Sequence, residues 1–211
     1  MTRLSLRGLY ALTDSALLPD TERLLAGVQS AVLGGAAVIQ YRDKSHDAGL
    51  RLEQATALAG LCRKLDAVFL VNDDIRLAAE SGADGVHLGQ DDGSVFEARL
   101  WLGTDAIIGA TCHARLELAE RARDEGASYL AFGRFFDSRT KPGAPGAGPE
   151  ILTEARRFGL PLVAIGGVTP DNGAQLIRAG ADMLAAVHGV FGQDDVMAAA
   201  ERYANLFATT S

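Results

Sequence analysis

The stretch Gly82-Ala-Asp-Gly-Val-His-Leu88 decides the fold. A glycine that closes a helical run is followed by small and polar residues and then by a short apolar run of strand character. Variants of this connector stand at Gly34-Gly-Ala-Ala37, Gly126-Ala-Ser-Tyr129 and Gly180-Ala-Asp-Met183. They precede the second, sixth and eighth apolar runs of the chain, and Gly82–Leu88 carries the fourth. Such a rhythm is that of strand–helix units rather than of a solenoid repeat.

Working outward, eight β-rich runs are predicted as strands: Gly8–Thr13, Ala37–Tyr41, Ala67–Val71, Gly85–Leu88, Ala106–Gly109, Tyr129–Gly133, Leu162–Ile165 and Met183–Val187. They lack strict polar alternation, as strands buried on both faces of a parallel sheet do. Helical period fills Thr21–Leu33, Ala48–Leu65, Ile75–Glu80, Ser94–Trp101, Leu116–Glu125, Glu150–Phe158, Asp171–Ala179 and Asp195–Phe207. Leu116, Ala119 and Ala122 make one apolar stripe, with Glu117, Glu120, Arg121 and Arg123 facing out. Strict alternation through eight units predicts an α/β fold, a single (β/α)8 TIM barrel spanning 1–211. The rival is an open doubly wound sheet, and no Gly-x-Gly-x-x-Gly follows the first strand to support it.

The chain has 211 residues, 48% hydrophobic and 22% charged, with a net charge of −7. That balance suits one globular domain and gives no basic face for nucleic acid. No apolar run is long enough for a membrane span, and no secretory leader pattern opens the chain. Cys62 and Cys112 form neither a disulfide framework nor a zinc-ligand pattern. A cytoplasmic protein acting on small molecules is expected, with a homo-oligomer compatible with the sequence but not required by it. Against a global negative charge, an anionic ligand needs clustered cations or backbone amides.

A barrel builds its active site from the loops after its strands. Polar residues gather at that end: Gln40-Tyr-Arg-Asp-Lys44 after strand two, Asn72-Asp-Asp74 after strand three, and Gln90-Asp-Asp92 after strand four. Thr111-Cys-His113 follows strand five, Arg134 to Lys141 strand six, and Gly166-Gly-Val-Thr169 strand seven. Arg42 and Lys44, two apart on an extended segment, point to one face and with Lys141 can surround a polyanion. Asp73 and Asp92 close neighbouring strands. They read either as helix N-caps or as two ligands of a hard cation such as magnesium. Gly166-Gly167 reads either as a turn set by geometry or, with Val187-His188-Gly189, as a phosphate cradle of backbone amides. His87 reads as a satisfied interior histidine, His113 as open, His46 as surface, and Cys112 as packing. The segment Asp137–Pro149, rich in Gly, Pro and Ala, reads either as a lid or as a disordered insert, and closure over the substrates is expected. Two anion sites, one metal-assisted, suit a reaction in which diphosphate leaves.

Seven stretches in register resemble the thiamine-phosphate synthase family over nearly the whole chain. They are Tyr10-Ala-Leu-Thr-Asp14, Gln40–Lys44, Val71-Asn-Asp73, Gly85–Asp92, Gly109-Ala-Thr-Cys-His113, Phe132-Gly with Ser138-Arg-Thr-Lys141, and Ala164-Ile-Gly-Gly-Val168. The resemblance implies a transferase of thiamine biosynthesis that joins a hydroxymethylpyrimidine diphosphate to a thiazole ethyl phosphate with magnesium. It implies that Gln40, Tyr41, Arg42, Asp43, Lys44, Asn72, Thr111 and Lys141 hold the pyrimidine diphosphate. Asp73 and Asp92 would bind the metal, and Ser138, Arg139, Thr140, Gly167, Val187 and His188 the thiazole phosphate. Lys141, Thr111 and Arg42 would act at the reacting centre, where diphosphate departs before the thiazole nitrogen attacks. The chain departs from the pattern in three places: Thr111 stands for a common Ser, Arg134 and Asp137 for prolines, and His188 for a Ser. The rivals are a thiazole tautomerase of the same barrel family and a non-catalytic thiazole-phosphate sensor. Neither needs the residues of the diphosphate side.

Overall fold

In the computed structural model, which describes residues 6–137 and 146–209, the apolar runs pair in sequence order and the last returns to the first. The result is one closed parallel barrel, β1-β2-β3-β4-β5-β6-β7-β8. The elements run β1 (Gly8–Leu12), α1 (Thr21–Leu33), β2 (Ala36–Tyr41), α2 (Ala48–Lys64), β3 (Val68–Asn72), α3 (Ile75–Ser81), β4 (Gly85–Leu88), α4 (Val95–Leu102) and β5 (Ile107–His113). They continue α5 (Leu116–Asp124), β6 (Tyr129–Gly133), α6 (Glu150–Ala155), β7 (Leu162–Ile165), α7 (Pro170–Ala179), β8 (Met183–Ala186), α8 (His188–Phe191) and α9 (Val196–Thr209). Closure removes every sheet edge, which is why short strands of four to seven residues suffice.

Two elements differ most from the sequence expectation. Strand β5 is longer than Ala106–Gly109, because Thr111 and His113 go on pairing with Ala131 and Phe132 of β6 across an irregularity. Polar side chains there look like a loop, but a barrel strand ends where its partner ends. Helix α8 has four residues, too few for a period to appear. Glu150–Phe158 is one helical run whose last turn tightens to a 3₁₀ helix over Arg156–Phe158.

The strands carry two apolar layers because side chains alternate across them. Outward residues such as Ile39, Val71, Val86, Ile108, Leu130 and Ala164 pack under the helices in one continuous core. Inward residues, among them Tyr10, Val38, Leu70, Tyr129, Val163 and Met183, fill the barrel. The barrel is therefore packed with side chains, as this fold requires. Room for Tyr129 comes from Gly109 on the adjoining strand: a Cβ there would lie 2.0 Å from Tyr129 Cζ and 2.2 Å from its hydroxyl.

Candidate active site at the C-terminal ends of the strands

Strand β3 ends in Asn72, and the next residue leaves the sheet in a left-handed conformation, Asp73 having φ +64°. Its N–H donates to the His87 carbonyl at 2.8 Å, which ties the turn to β4. The residue after it, Asp74, caps α3 by accepting from Leu77 N–H at 2.9 Å. Helix α4 is capped by Ser94 and Glu97 in a reciprocal capping box. Neither Asp73 nor Asp92 is a cap, so the alternative reading of these two carboxylates as helix caps is corrected: one cap stands one residue on and the other two.

Freed of capping, Asp73 and Asp92 face each other. Burial first, and then the charge of Asp92, pushes the Asp73 carboxyl up to about 6, while Asn72 and Lys44 pull the other way. The Asn72 amide donates to Asp73, and Gly89 N–H donates to Asp92 at 3.1 Å. The pair borders an open depression of about 390 Å³, lined by Asp43, Lys44, Arg51, Asn72, Asp73, Asp74, Ile75 and Asp92. Its carboxylates outnumber its cations, so a phosphate group entering alone would meet net repulsion, and a hard cation would relieve it. Two carboxylates with room for phosphate oxygens are a donor set that suits magnesium, and the described residues hold no group of three or more His, Cys, Asp or Glu arranged for a metal.

The cations sort differently from expectation. Strand β2 ends at Tyr41, before Arg42 and Lys44, and the two side chains have different surroundings. Lys44 lines the depression, whereas Arg42 extends to Asp14, 3.3 Å away at the end of β1, and its N–H donates to Thr13 Oγ1 at 2.9 Å. Tyr41 points outward. Its hydroxyl donates to Gln54 of α2 at 2.7 Å, and Gln54 in turn donates to Thr21. The Tyr41 side chain is thus bonded within the helix layer. Arg51 of α2, which no sequence motif signals, enters the depression and pairs with Asp74 at 3.1 Å.

Gln40 and Thr111 lie further in. Gln40 is 1% exposed, and its Oε1 atom has no hydrogen-bond partner. Thr111 is half-buried and bonds through Oγ1 to His87 Nε2 at 2.9 Å. With both ring nitrogens engaged, His87 is the satisfied interior histidine that the sequence suggests. His113 is exposed, with φ +52°. Burial pushes the Cys62 and Cys112 thiols up to about 12, so both are packing residues.

At the other side of the mouth Gly167 has φ +65°, and a Cβ there would lie 2.4 Å from the Asp137 carbonyl. The Gly166-Gly167 pair is thus required by the β6 loop seated on it, which donates Phe136 N–H to the Gly166 carbonyl at 3.0 Å. Arg134 and Asp137, the two departures in that loop, pair with each other at 3.4 Å. Val187 caps α8, and His188 opens it. The exposed imidazole of His188 lies back over Gly192. Tyr203 of α9 donates to the Val168 carbonyl at 2.9 Å and packs on Gly189, holding the β7 and β8 loops together. Ser138, Arg139, Thr140 and Lys141 lie outside the described residues, as does most of the Asp137–Pro149 segment.

The order of these side chains around the rim can be set against known proteins. Residues 9–190 match the model of a family described as thiamine monophosphate synthase. The chain belongs to the thiamine monophosphate synthase family. A curated relative, the thiamine-phosphate synthase of Marinobacter nauticus, is 55% identical over 95% of this chain and 91% of its own. A solved thiamine phosphate pyrophosphorylase from Pyrococcus furiosus superposes with a TM-score of 0.86 at 34% identity, covering 96% of each chain. An orotidine 5'-phosphate decarboxylase from Pyrococcus horikoshii, at 14% identity and a TM-score of 0.66 over 94% of this chain and 99% of its own, shares the barrel alone. Among the described residues no helix is long and apolar enough to cross a membrane.

Proposed function

We propose that the chain is a thiamine-phosphate synthase. It would condense 4-amino-2-methyl-5-(diphosphooxymethyl)pyrimidine with 4-methyl-5-(2-phosphoethyl)thiazole to thiamine phosphate and diphosphate. The observation that carries this reading is the Asp73–Asp92 pair beside Lys44 at the ends of β3 and β4, in a chain 55% identical to a synthase over nearly its full length. A tautomerase or a thiazole-phosphate sensor has no use for that pair.

The reaction fits a dissociative course. The bond between the methylene carbon and the diphosphate oxygen breaks, and the electron pair leaves with diphosphate. The thiazole nitrogen then gives its lone pair to the methylene carbon. No proton changes hands, so the site needs charge stabilisation rather than a general base. Asp73 and Asp92 would hold magnesium, which when bound supplies charge neutralisation for the leaving diphosphate. Lys44 and Arg51 add positive charge on the same side, and Lys141 is assigned there by resemblance. Gln40 and Thr111 would hold the pyrimidine ring. Gly167, Val187 and His188, with Ser138, Arg139 and Thr140 by resemblance, are assigned to the thiazole phosphate. The backbone at His188 serves there, since its ring lies over Gly192.

Purified protein incubated with both substrates and magnesium is expected to release thiamine phosphate and diphosphate in equal amounts, and to stop when the metal is chelated. Turnover that survives chelation would refute the metal assignment. Isomerisation of a thiazole substrate without condensation would replace the synthase reading by the tautomerase.

A further inference from the structure

Five side chains from five strands make one hydrogen-bonded file inside the barrel. Gln40 Nε2 of β2 donates to Tyr10 Oη of β1 at 3.0 Å. Tyr10 Oη meets Tyr129 Oη of β6 at 2.8 Å. Tyr129 Oη meets His87 Nδ1 of β4 at 2.8 Å, and His87 Nε2 meets Thr111 Oγ1 of β5 at 2.9 Å. Burial raises the pKa of both phenols far above neutrality, so each keeps its single proton.

Counting those protons gives the file a direction. The Gln40 amide nitrogen only donates, so Tyr10 Oη accepts from it. The one proton of Tyr10 then goes to Tyr129, since otherwise a buried hydroxyl hydrogen is left without a partner and bears the full cost of its desolvation. Tyr129 already accepts from Tyr10 and so donates onward to His87 Nδ1. The same count excludes an Nδ1–H, and with it an imidazolium. His87 is therefore the neutral Nε2–H tautomer and donates to Thr111, whose own hydroxyl proton is turned away from the file. One end of the file thus presents an acceptor, Gln40 Oε1, which is buried and unpartnered. The other end presents a donor, the Thr111 hydroxyl.

We propose that Tyr10, Tyr129 and His87 are positioning residues that set this polarity, and so select a ring that offers an amino donor to Gln40 and an acceptor to Thr111. This rests on the placement of the aminopyrimidine at Gln40 and Thr111 in the function proposed above. An oxo analogue, with an acceptor where the amine stands, would face the Gln40 oxygen and be rejected. Gln40 can turn its amide to greet it and keep its bond to Tyr10 only if every proton in the file, through Tyr129 and His87 to Thr111, reverses as well.

The tautomer is tested in the ligand-free wild-type chain by ¹H–¹⁵N correlation of ¹⁵N-labelled histidine at neutral pH, assigned by comparison with His87→Phe. A proton on Nε2 alone is expected. A proton on Nδ1, or on both nitrogens, overturns the proposal whatever the enzyme does. Kinetics supply the second arm. Tyr10→Phe frees the Gln40 amide and is expected to reduce discrimination between the amino and oxo pyrimidine diphosphates by about tenfold or more. Tyr129→Phe is expected to raise KM for the pyrimidine diphosphate about tenfold and leave KM for the thiazole phosphate unchanged. Unaltered discrimination in Tyr10→Phe, or a Tyr129→Phe loss shared equally by both substrates, overturns it as well. A wild-type chain with the Nε2–H tautomer and no condensing activity refutes the proposed reaction and not the direction of the file.

Discussion

Asp73 faces Asp92 across the ends of β3 and β4, while Asp74, its immediate neighbour, is spent on capping α3. The left-handed backbone at Asp73 makes this division possible, since it turns one carboxylate to the mouth and the next to the helix. A like-charged pair held together in the folded chain is a local loss of stability.

Removing one charge separates the two roles. Asp92→Asn is expected to abolish most turnover, by about a hundredfold or more, yet to raise stability in metal-free buffer by about 1 kcal/mol by ending the repulsion, after allowance for screening by solvent. Thermal unfolding with and without magnesium checks this. The wild type should gain stability from the ion and Asp92→Asn should not. A variant that is less stable without metal and still stabilised by it would show that Asp92 is no ligand.

Gly109→Ala places a methyl where the Tyr129 ring stands, 2.0 Å from Cζ. Tyr129 is fully buried and bonded to both Tyr10 and His87, so it has nowhere to move. A loss of about 1–3 kcal/mol in urea unfolding is expected, with activity falling together with it. An alanine variant as stable as the wild type would mean that the barrel interior is looser than these distances allow.

Tyr41→Phe separates the outward from the inward face of β2. It deprives Gln54 of its donor in the helix layer and is expected to cost about 1 kcal/mol of stability. KM for both substrates should stay within twofold or so of wild type, since the phenol does not face the mouth. A selective rise in KM for the pyrimidine diphosphate would return Tyr41 to the binding site.

Arg51→Met keeps the length of the side chain and removes its charge. KM for the pyrimidine diphosphate is expected to rise about tenfold, with KM for the thiazole phosphate unchanged, because Arg51 lines only the acidic depression. Equal changes in both constants would assign Arg51 to support of Asp74 alone.

The barrel was legible because its signals are local. Each connector, from Gly34-Gly35 to Gly180-Ala181, and each run buried on both faces is read within a dozen residues, and β4, β6 and β7 have the predicted bounds. Asp73, Asp92 and Lys44 could be placed at one end of the barrel from the sequence because a barrel turns every strand end to one rim. Strand β5 outruns its apolar stretch and α8 leaves no trace in the sequence, since pairing sets the length of the first and four residues carry no period for the second.

The chain by itself determined the order of strands and helices, the rim at which polar groups gather and the family to which they belong, because chain direction and hydrophobic period suffice for these. Only the tertiary structure decided which aspartate caps and which faces the mouth, that Arg42 extends to Asp14 and Tyr41 to Gln54, and that Arg51 enters the site. It alone aligned Gln40, Tyr10, Tyr129, His87 and Thr111. These residues lie up to 119 positions apart, and hydrogen bonds between strands that distant in sequence exist only once the barrel has closed.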